Sequence, residues 1–192
     1  MVSSSSIPAV GILAAGQGKR MKSPLPKVLH QVGGQPLLFH ILDQVLAVFP
    51  SAPIGVVVGF GKDQVEAAVR AESRYQAASI DFLVQAEQKG TGHAARCAMD
   101  ADWGKRMMRE KRAVLVLPGD LPLLTSELVR QVGETLGKSA ALRLLTCDLS
   151  DPAGYGRVVR KGRQGGVLRI VEEKDANLRE KAVKEVATSI YL

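Results

Sequence analysis

The chain has 192 residues, 46% of them hydrophobic and 23% charged, which is room for one domain or two small ones and excludes a disordered or low-complexity scaffold. Two cysteines, Cys97 and Cys147, cannot build a disulfide framework, and no Cys/His cluster has zinc spacing. The net charge of +7 suits a polyanion, either nucleic acid or a phosphorylated small molecule, although a solvated basic surface has the same sign. The opening Met1-Val2-Ser3-Ser4-Ser5-Ser6 lacks the basic start and apolar core of a secretory signal. No apolar run approaches the ~20 residues of a membrane span, so the expectation is a cytoplasmic protein with no membrane partner.

The first apolar run, Ala9 to Leu13, reads as a buried strand that enters a loop from Ala14 to Pro26. Leu37, Leu38, Ile41, Leu42, Val45 and Val48 then fall on one face of a helix spanning Pro36 to Phe49, and Pro50 and Pro53 stop it. Ile54 to Gly59 reads as a second strand and Asp63 to Glu72 as a short amphipathic helix. Ile80 to Gln85 is a third strand, followed by an Ala-rich helix to about Trp103. Ala113 to Asp120 is the fourth and most apolar strand, and a helix starts at Ser126. This alternation predicts an α/β fold, a Rossmann-like, mostly parallel sheet with helices on both faces. After about Ala140 come short strands at Leu142–Cys147, Gly156–Lys161, Val167–Glu172 and Glu185–Leu192, expected as antiparallel additions or a flap. The chain thus divides into a half of about residues 1–140 and a remainder of about 141–192 within one domain.

Open parallel sheets bind ligands beyond the carboxyl ends of their strands, so the loops there carry the functional argument. Leu13-Ala14-Ala15-Gly16-Gln17-Gly18-Lys19-Arg20-Met21 has small residues that let backbone amides approach an anion, with Lys19 and Arg20 adding positive charge. It is not a Walker A loop, and Met21 stands where a dinucleotide fingerprint has its third glycine. A plain strand-to-helix turn accounts for the loop alone about as well. Pro24-Leu25-Pro26-Lys27-Val28-Leu29 tips the balance, since Lys27 lies between a rigid turn and an apolar segment.

Gln85-Ala86-Glu87-Gln88-Lys89-Gly90-Thr91-Gly92-His93-Ala94 offers an amide that donates and accepts, as a pyrimidine edge requires, and a Gly-Thr-Gly turn that lets a ring approach the backbone. His93, at a helix start, reads as structural rather than as an acid–base catalyst. Asp120, closing the fourth strand in Pro118-Gly119-Asp120-Leu121-Pro122-Leu123, is the best metal candidate; a helix cap or turn is the plainer role.

These stretches resemble the signatures of the sugar-phosphate nucleotidyltransferases, nearest to the uridyltransferase domain of the bifunctional GlmU enzymes that make UDP-N-acetylglucosamine. Leu13 to Met21 is similar to L-A-A-G-x-G-T-R-M, Pro26-Lys27 to the P-K that follows it, and Gln85 to Ala94 to Q-x-x-Q-x-G-T-G-H-A. The resemblance implies that Leu13, Ala14, Ala15, Gly16 and Gly18 bind the triphosphate. It makes Arg20 and Lys27 catalytic, on the leaving pyrophosphate and the α-phosphate. Gln85, Gly90 and Thr91 would read the uracil, and Asp120 would ligate Mg²⁺. Lys19 stands where the family has threonine.

Asp151-Pro152-Ala153-Gly154-Tyr155-Gly156-Arg157 and Ile170-Val171-Glu172-Glu173-Lys174-Asp175-Ala176 resemble the sugar-side motifs, implying roles for Gly154 and Glu172. Glu185 to Ile190 departs from E-x-N-T-G-I: Ala187 replaces a sugar-holding asparagine and Ser189 a glycine. The partners implied are UTP and a sugar 1-phosphate, not nucleic acid. The family's further magnesium-binding asparagine and its β-helix acetyltransferase domain lie beyond Leu192, so the family trimer is not expected and the sugar-binding half is incomplete. A transferase for another nucleotide or sugar, and a non-catalytic nucleotide-binding remnant, are the alternatives. The basic cluster Lys105, Arg106, Arg109, Lys111, Arg112 reads as a solvated helix face.

Overall fold

A computed structural model describes residues 7–134, 140–162 and 165–192; Met1–Ser6, read above for a signal segment, lies outside the described residues. The first apolar run forms β1 (Ala9–Leu13), and the loop after it is interrupted only by single 3₁₀ turns at Lys19–Met21 and Lys27–Leu29. A small hairpin follows, β2 (Gln31–Val32) and β3 (Gln35–Pro36), which the strand patterns did not predict. Its turn is Gly33-Gly34, both at positive φ, as a type I′ hairpin requires.

Next come α1 (Leu37–Val48), β4 (Ile54–Val58), α2 (Lys62–Ala71), β5 (Ile80–Val84) and α3 (Thr91–Asp100). The helix predicted to reach Trp103 is in fact two. Ala101 is extended, at φ −71° and ψ 164°, and a separate helix, α4 (Asp102–Arg109), carries Trp103 into the core. Then follow β6 (Val114–Pro118) and α5 (Ser126–Gly133), whose N-terminus is capped by Thr125 accepting from the Leu128 amide at 3.2 Å. The C-terminal third holds β7 (Leu144–Asp148), β8 (Arg157–Arg160), β9 (Val167–Val171), the short α6 (Leu178–Lys181) and β10 (Glu185–Tyr191).

The main sheet runs β5-β4-β1-β6-β10-β8-β9, with β7 also paired to β10. β5, β4, β1 and β6 are mutually parallel, and the later strands add to the same sheet in antiparallel fashion rather than closing over it as a flap. Period-2 geometry divides the parallel strands between two cores. Val10, Ile12, Ile54, Val56, Leu115 and Leu117 pack with α1, α2 and α5 on one face; Ala9, Val57 and Leu83 pack with Trp103 and Met107 on the other. Covering both faces is what allows β1 and β4 to be apolar throughout.

Candidate active site

The chain order reverses at β1: β4 and β5 lie on one side of it and β6 on the other. The loops after β1 and β6 therefore diverge from a shared origin, the place where an open α/β sheet leaves a crevice. The Gly119 amide donates to the Leu13 carbonyl at 2.9 Å, which ties these loops together at their base.

On one side of the crevice lies a cavity of about 490 Å³ lined by Gly16, Gly18, Arg20, Lys27 and Asp120 among others. Gly18 has φ +63°, and a side chain there would come within 2.9 Å of the Lys27 Cβ. The position thus needs glycine twice, for its left-handed backbone and for the stem of the lysine. Buried Val28 and Leu29 anchor the turn that carries Lys27. The Lys27 ammonium meets the Asp120 carboxylate in an ion pair that joins residues 93 positions apart.

An adjoining cavity of about 440 Å³ shares Leu13, Gly16 and Asp120 with the first and is lined further by Ala15, Gln85, Gln88, Gly90 and Thr91. Gln85 is buried, yet Thr91 and Gly90 are exposed at the start of α3. Gln88 and His93 were assigned no part in this pocket from the sequence. The Gln88 amide nitrogen donates to the Gln85 carbonyl oxygen at 3.4 Å, and His93 Nδ1 lies 2.9 Å from the Gln85 amide nitrogen. Both lie inside the motif quoted for the loop, so the signal was present without a stated task.

Glu172 lines a third cavity, of about 420 Å³, together with Thr91 and Ser189. Thr91 and Ser189 also border the cavity of Gln85, so the two cavities share these walls. Gly154 is not brought to these walls; its amide donates to Glu173 Oε2 at 3.4 Å in an exposed turn. The Arg157 guanidinium, donating to the same oxygen at 2.6 Å, holds the Glu173 carboxyl below the usual carboxylate range. Ala187 borders an apolar cavity of about 430 Å³ with Leu121, Leu145 and Tyr155.

Ser189 occupies φ +63°, where L side chains are strained by about 1–2 kcal/mol. Ser189→Gly is therefore expected to raise the melting temperature by about 2–8 °C, read by differential scanning calorimetry. No gain, or a loss, would show that the serine side chain offsets its backbone strain.

A model of the MobA-like NTP transferase domain matches residues 10–160. This chain belongs to that family. It is 42% identical over 183 residues to the bifunctional protein GlmU of Sorangium cellulosum and 44% identical over 181 residues to that of Burkholderia orbicola. Each alignment covers 94% of this chain and 37% of the relative, so the chain spans a little over a third of the length of these curated relatives. A crystal structure from Bacillus anthracis, described as a glucose-1-phosphate thymidylyltransferase in complex with a sucrose, superposes with a TM-score of 0.67. At 19% identity, over 95% of this chain and 70% of that one, the likeness is one of fold. The resemblance drawn from the motifs thus holds at the level of the NTP transferase family.

The donor set bears on the metal that the family implies. Among the described residues no cluster of three or more His, Cys, Asp or Glu side chains could cage a cation. Mg²⁺, however, is commonly held by one or two carboxylates with substrate phosphates completing its shell, and Asp120 sits on the wall shared by both cavities. The residues fit a metal that arrives with a nucleotide. They do not fit one that stays without it, because Lys27 already neutralises Asp120. Among the described residues no helix is long and apolar enough to cross a membrane.

Proposed function

We propose that the chain transfers a uridylyl group from UTP to N-acetylglucosamine 1-phosphate, yielding UDP-N-acetylglucosamine and pyrophosphate. The observation that carries this reading is the meeting of Lys27 and Asp120 on the border between a glycine-lined cavity and one floored by a buried amide. That arrangement suits a molecule with a phosphate chain at one end and a base at the other.

In this reading a phosphate oxygen of the sugar 1-phosphate attacks the α-phosphorus of UTP in line. The new P–O bond forms as the bond to the β-phosphate oxygen breaks, and pyrophosphate carries away the electron pair. The attacking group is already an anion, so no side chain has to remove a proton. The work is positioning and charge neutralisation. Gly16 and Gly18 let the backbone approach the triphosphate, Lys27 moves from Asp120 to the α-phosphate, and Arg20 meets the departing pyrophosphate. Mg²⁺, when bound by Asp120 and the phosphate oxygens, supplies further positive charge at the reacting phosphate. Glu172 accepts from sugar hydroxyls, with residues from about 141 onward forming the sugar side and those before it the nucleotide side. The two unbridged cysteines, Cys97 and Cys147, suit a reducing cytoplasm, where we place the reaction.

Incubating the protein with UTP, N-acetylglucosamine 1-phosphate and Mg²⁺ tests the reading, with pyrophosphate release as the expected result. No release with this or any other sugar phosphate, alongside thermal stabilisation by UTP, would leave a nucleotide-binding protein without turnover. A transferase for a different sugar phosphate has one observation in its favour. Ala187, where the family's asparagine holds the sugar, contributes no hydrogen-bonding side chain and borders an apolar cavity.

A further inference from the structure

The Gln85 side chain leads past the assignment of a base pocket to the question of which base edge it accepts. Its amide nitrogen lies 3.3 Å from the Gly90 carbonyl oxygen and 2.9 Å from His93 Nδ1. A carbonyl oxygen can only accept, so the nitrogen end of the amide, and not its oxygen, must face Gly90. The same nitrogen then donates its second hydrogen to His93 Nδ1, which must be the bare nitrogen of the ring, with the proton on Nε2. Cys97, one turn along α3, packs its sulfur against the same ring, 3.8 Å from Nε2 and 3.9 Å from Nδ1.

Both N–H groups of Gln85 are therefore spent on the protein. Its Oε1 receives no hydrogen bond from the described residues, while the side chain lines the cavity beside Gly90 and Thr91. Because oxygen and nitrogen share one carbon, holding the nitrogen toward His93 turns the oxygen away from it. The pocket thus presents a fixed acceptor, not an amide free to turn over.

We infer that His93 is a positioning residue that sets nucleotide specificity by locking the Gln85 amide, so that the pocket admits a base with an N–H at the centre of its pairing edge. This rests on the reading of the cavity as a uridine site. Uracil carries a hydrogen on N3 and satisfies the fixed acceptor. Cytosine has a bare N3, which sets two lone pairs against each other and leaves Gln85 Oε1 unpaired. Without His93 the amide keeps only the longer, 3.3 Å contact to Gly90, a weaker hold, so turning its N–H₂ toward cytosine costs less than in the wild type.

The test compares UTP and CTP, which differ only in the base, by titration calorimetry with Mg²⁺ on the wild type, His93→Leu, His93→Ala and His93→Asn. The wild type is expected to prefer UTP at least tenfold. Either apolar variant should bring the ratio toward one, chiefly by weakening UTP, so one of the two remaining folded suffices. His93→Asn, whose Oδ1 can take the place of Nδ1 as acceptor, should restore most of the preference; a residue that merely supported α3 would show no such rescue. An apolar variant that keeps the wild-type UTP:CTP ratio overturns the inference, as does a wild type that binds the two equally; in both cases the pocket remains a nucleotide site. A wild type that binds neither nucleotide removes the uridine reading and this inference together.

Discussion

Lys27→Met is expected to lower nucleotidyl transfer by about 10²–10³-fold and, in the absence of nucleotide, to tighten the binding of a divalent cation. Both effects follow from the one side chain. The ammonium neutralises Asp120, the carboxylate on the border of the two cavities. A free cation thus meets a carboxylate that already has a partner. In the proposed reaction, a bound triphosphate would offer Lys27 a more highly charged partner and release Asp120 as the phosphate oxygens arrive. The rate loss expected for the variant is that of removing one preorganised charge donor from the reacting phosphate. Methionine keeps the length of the stem, which matters because the Lys27 Cβ lies against Gly18.

Pyrophosphate release under saturating substrates measures the first effect, and titration of Mn²⁺ followed by its electron paramagnetic resonance measures the second. Adding Asp120→Asn to Lys27→Met should abolish the gain in Mn²⁺ binding. Unchanged Mn²⁺ affinity in Lys27→Met would show that the pair does not hold the carboxylate in solution, and unchanged turnover would remove Lys27 from the reaction.

The parts of this site differ in how far the sequence announces them. The strands β1, β4, β5 and β6 are short apolar runs closed by glycine, proline or polar residues, and local pattern alone marks them within a residue or two. The loop after β1 is marked by its glycines and cations, but a plain strand-to-helix turn explains that composition about as well, and it is the following Pro24 to Leu29 that points to a site. The hairpin at Gln31–Pro36 is too short for any period to show, although Gly33-Gly34 was a turn signal that could have been taken. The break at Ala101 has no signal at all: an Ala-rich segment continues a helix unless a distant demand, here the burial of Trp103, redirects the chain.

Long-range pairing was equally invisible. Lys27 and Asp120 were each picked out by their own loops, but nothing local says that they meet. The same holds for His93, which periodicity treats as the first turn of a helix and which the fold sets against Gln85. Ser189 is the reverse case. Its departure from a family glycine reads as a loss of fit in the sequence, and the positive φ at that position gives the departure a physical meaning.

Trp103 carries the other large expected effect, and its size depends on what replaces it. The indole is 3% exposed and lies over the second core, where a side chain at Gly55 would come within 2.9 Å of it. Trp103→Ala should cost about 3–5 kcal/mol, a large part of the roughly 5–15 kcal/mol that a domain has in total. The melting temperature should fall by roughly 6–20 °C, measured by calorimetry. Trp103→Phe is a different matter, because the indole Nε1 is buried with no hydrogen-bond partner among the described residues. An unpaired buried donor costs about 1–3 kcal/mol, so removing it offsets much of the contact area lost with the smaller ring. The phenylalanine variant should therefore stay within about 1–2 kcal/mol of the wild type. The consequence reaches the site through α3 and α4, which share this core with β1 and β4 and present Thr91 and His93 at the start of α3. Trp103→Ala should weaken UTP binding well before the protein unfolds, whereas Trp103→Phe should leave it in place. Equal stability losses for the two variants would mean that Nε1 finds a partner in solution, and a small loss for Trp103→Ala would mean that the second core does not depend on the indole.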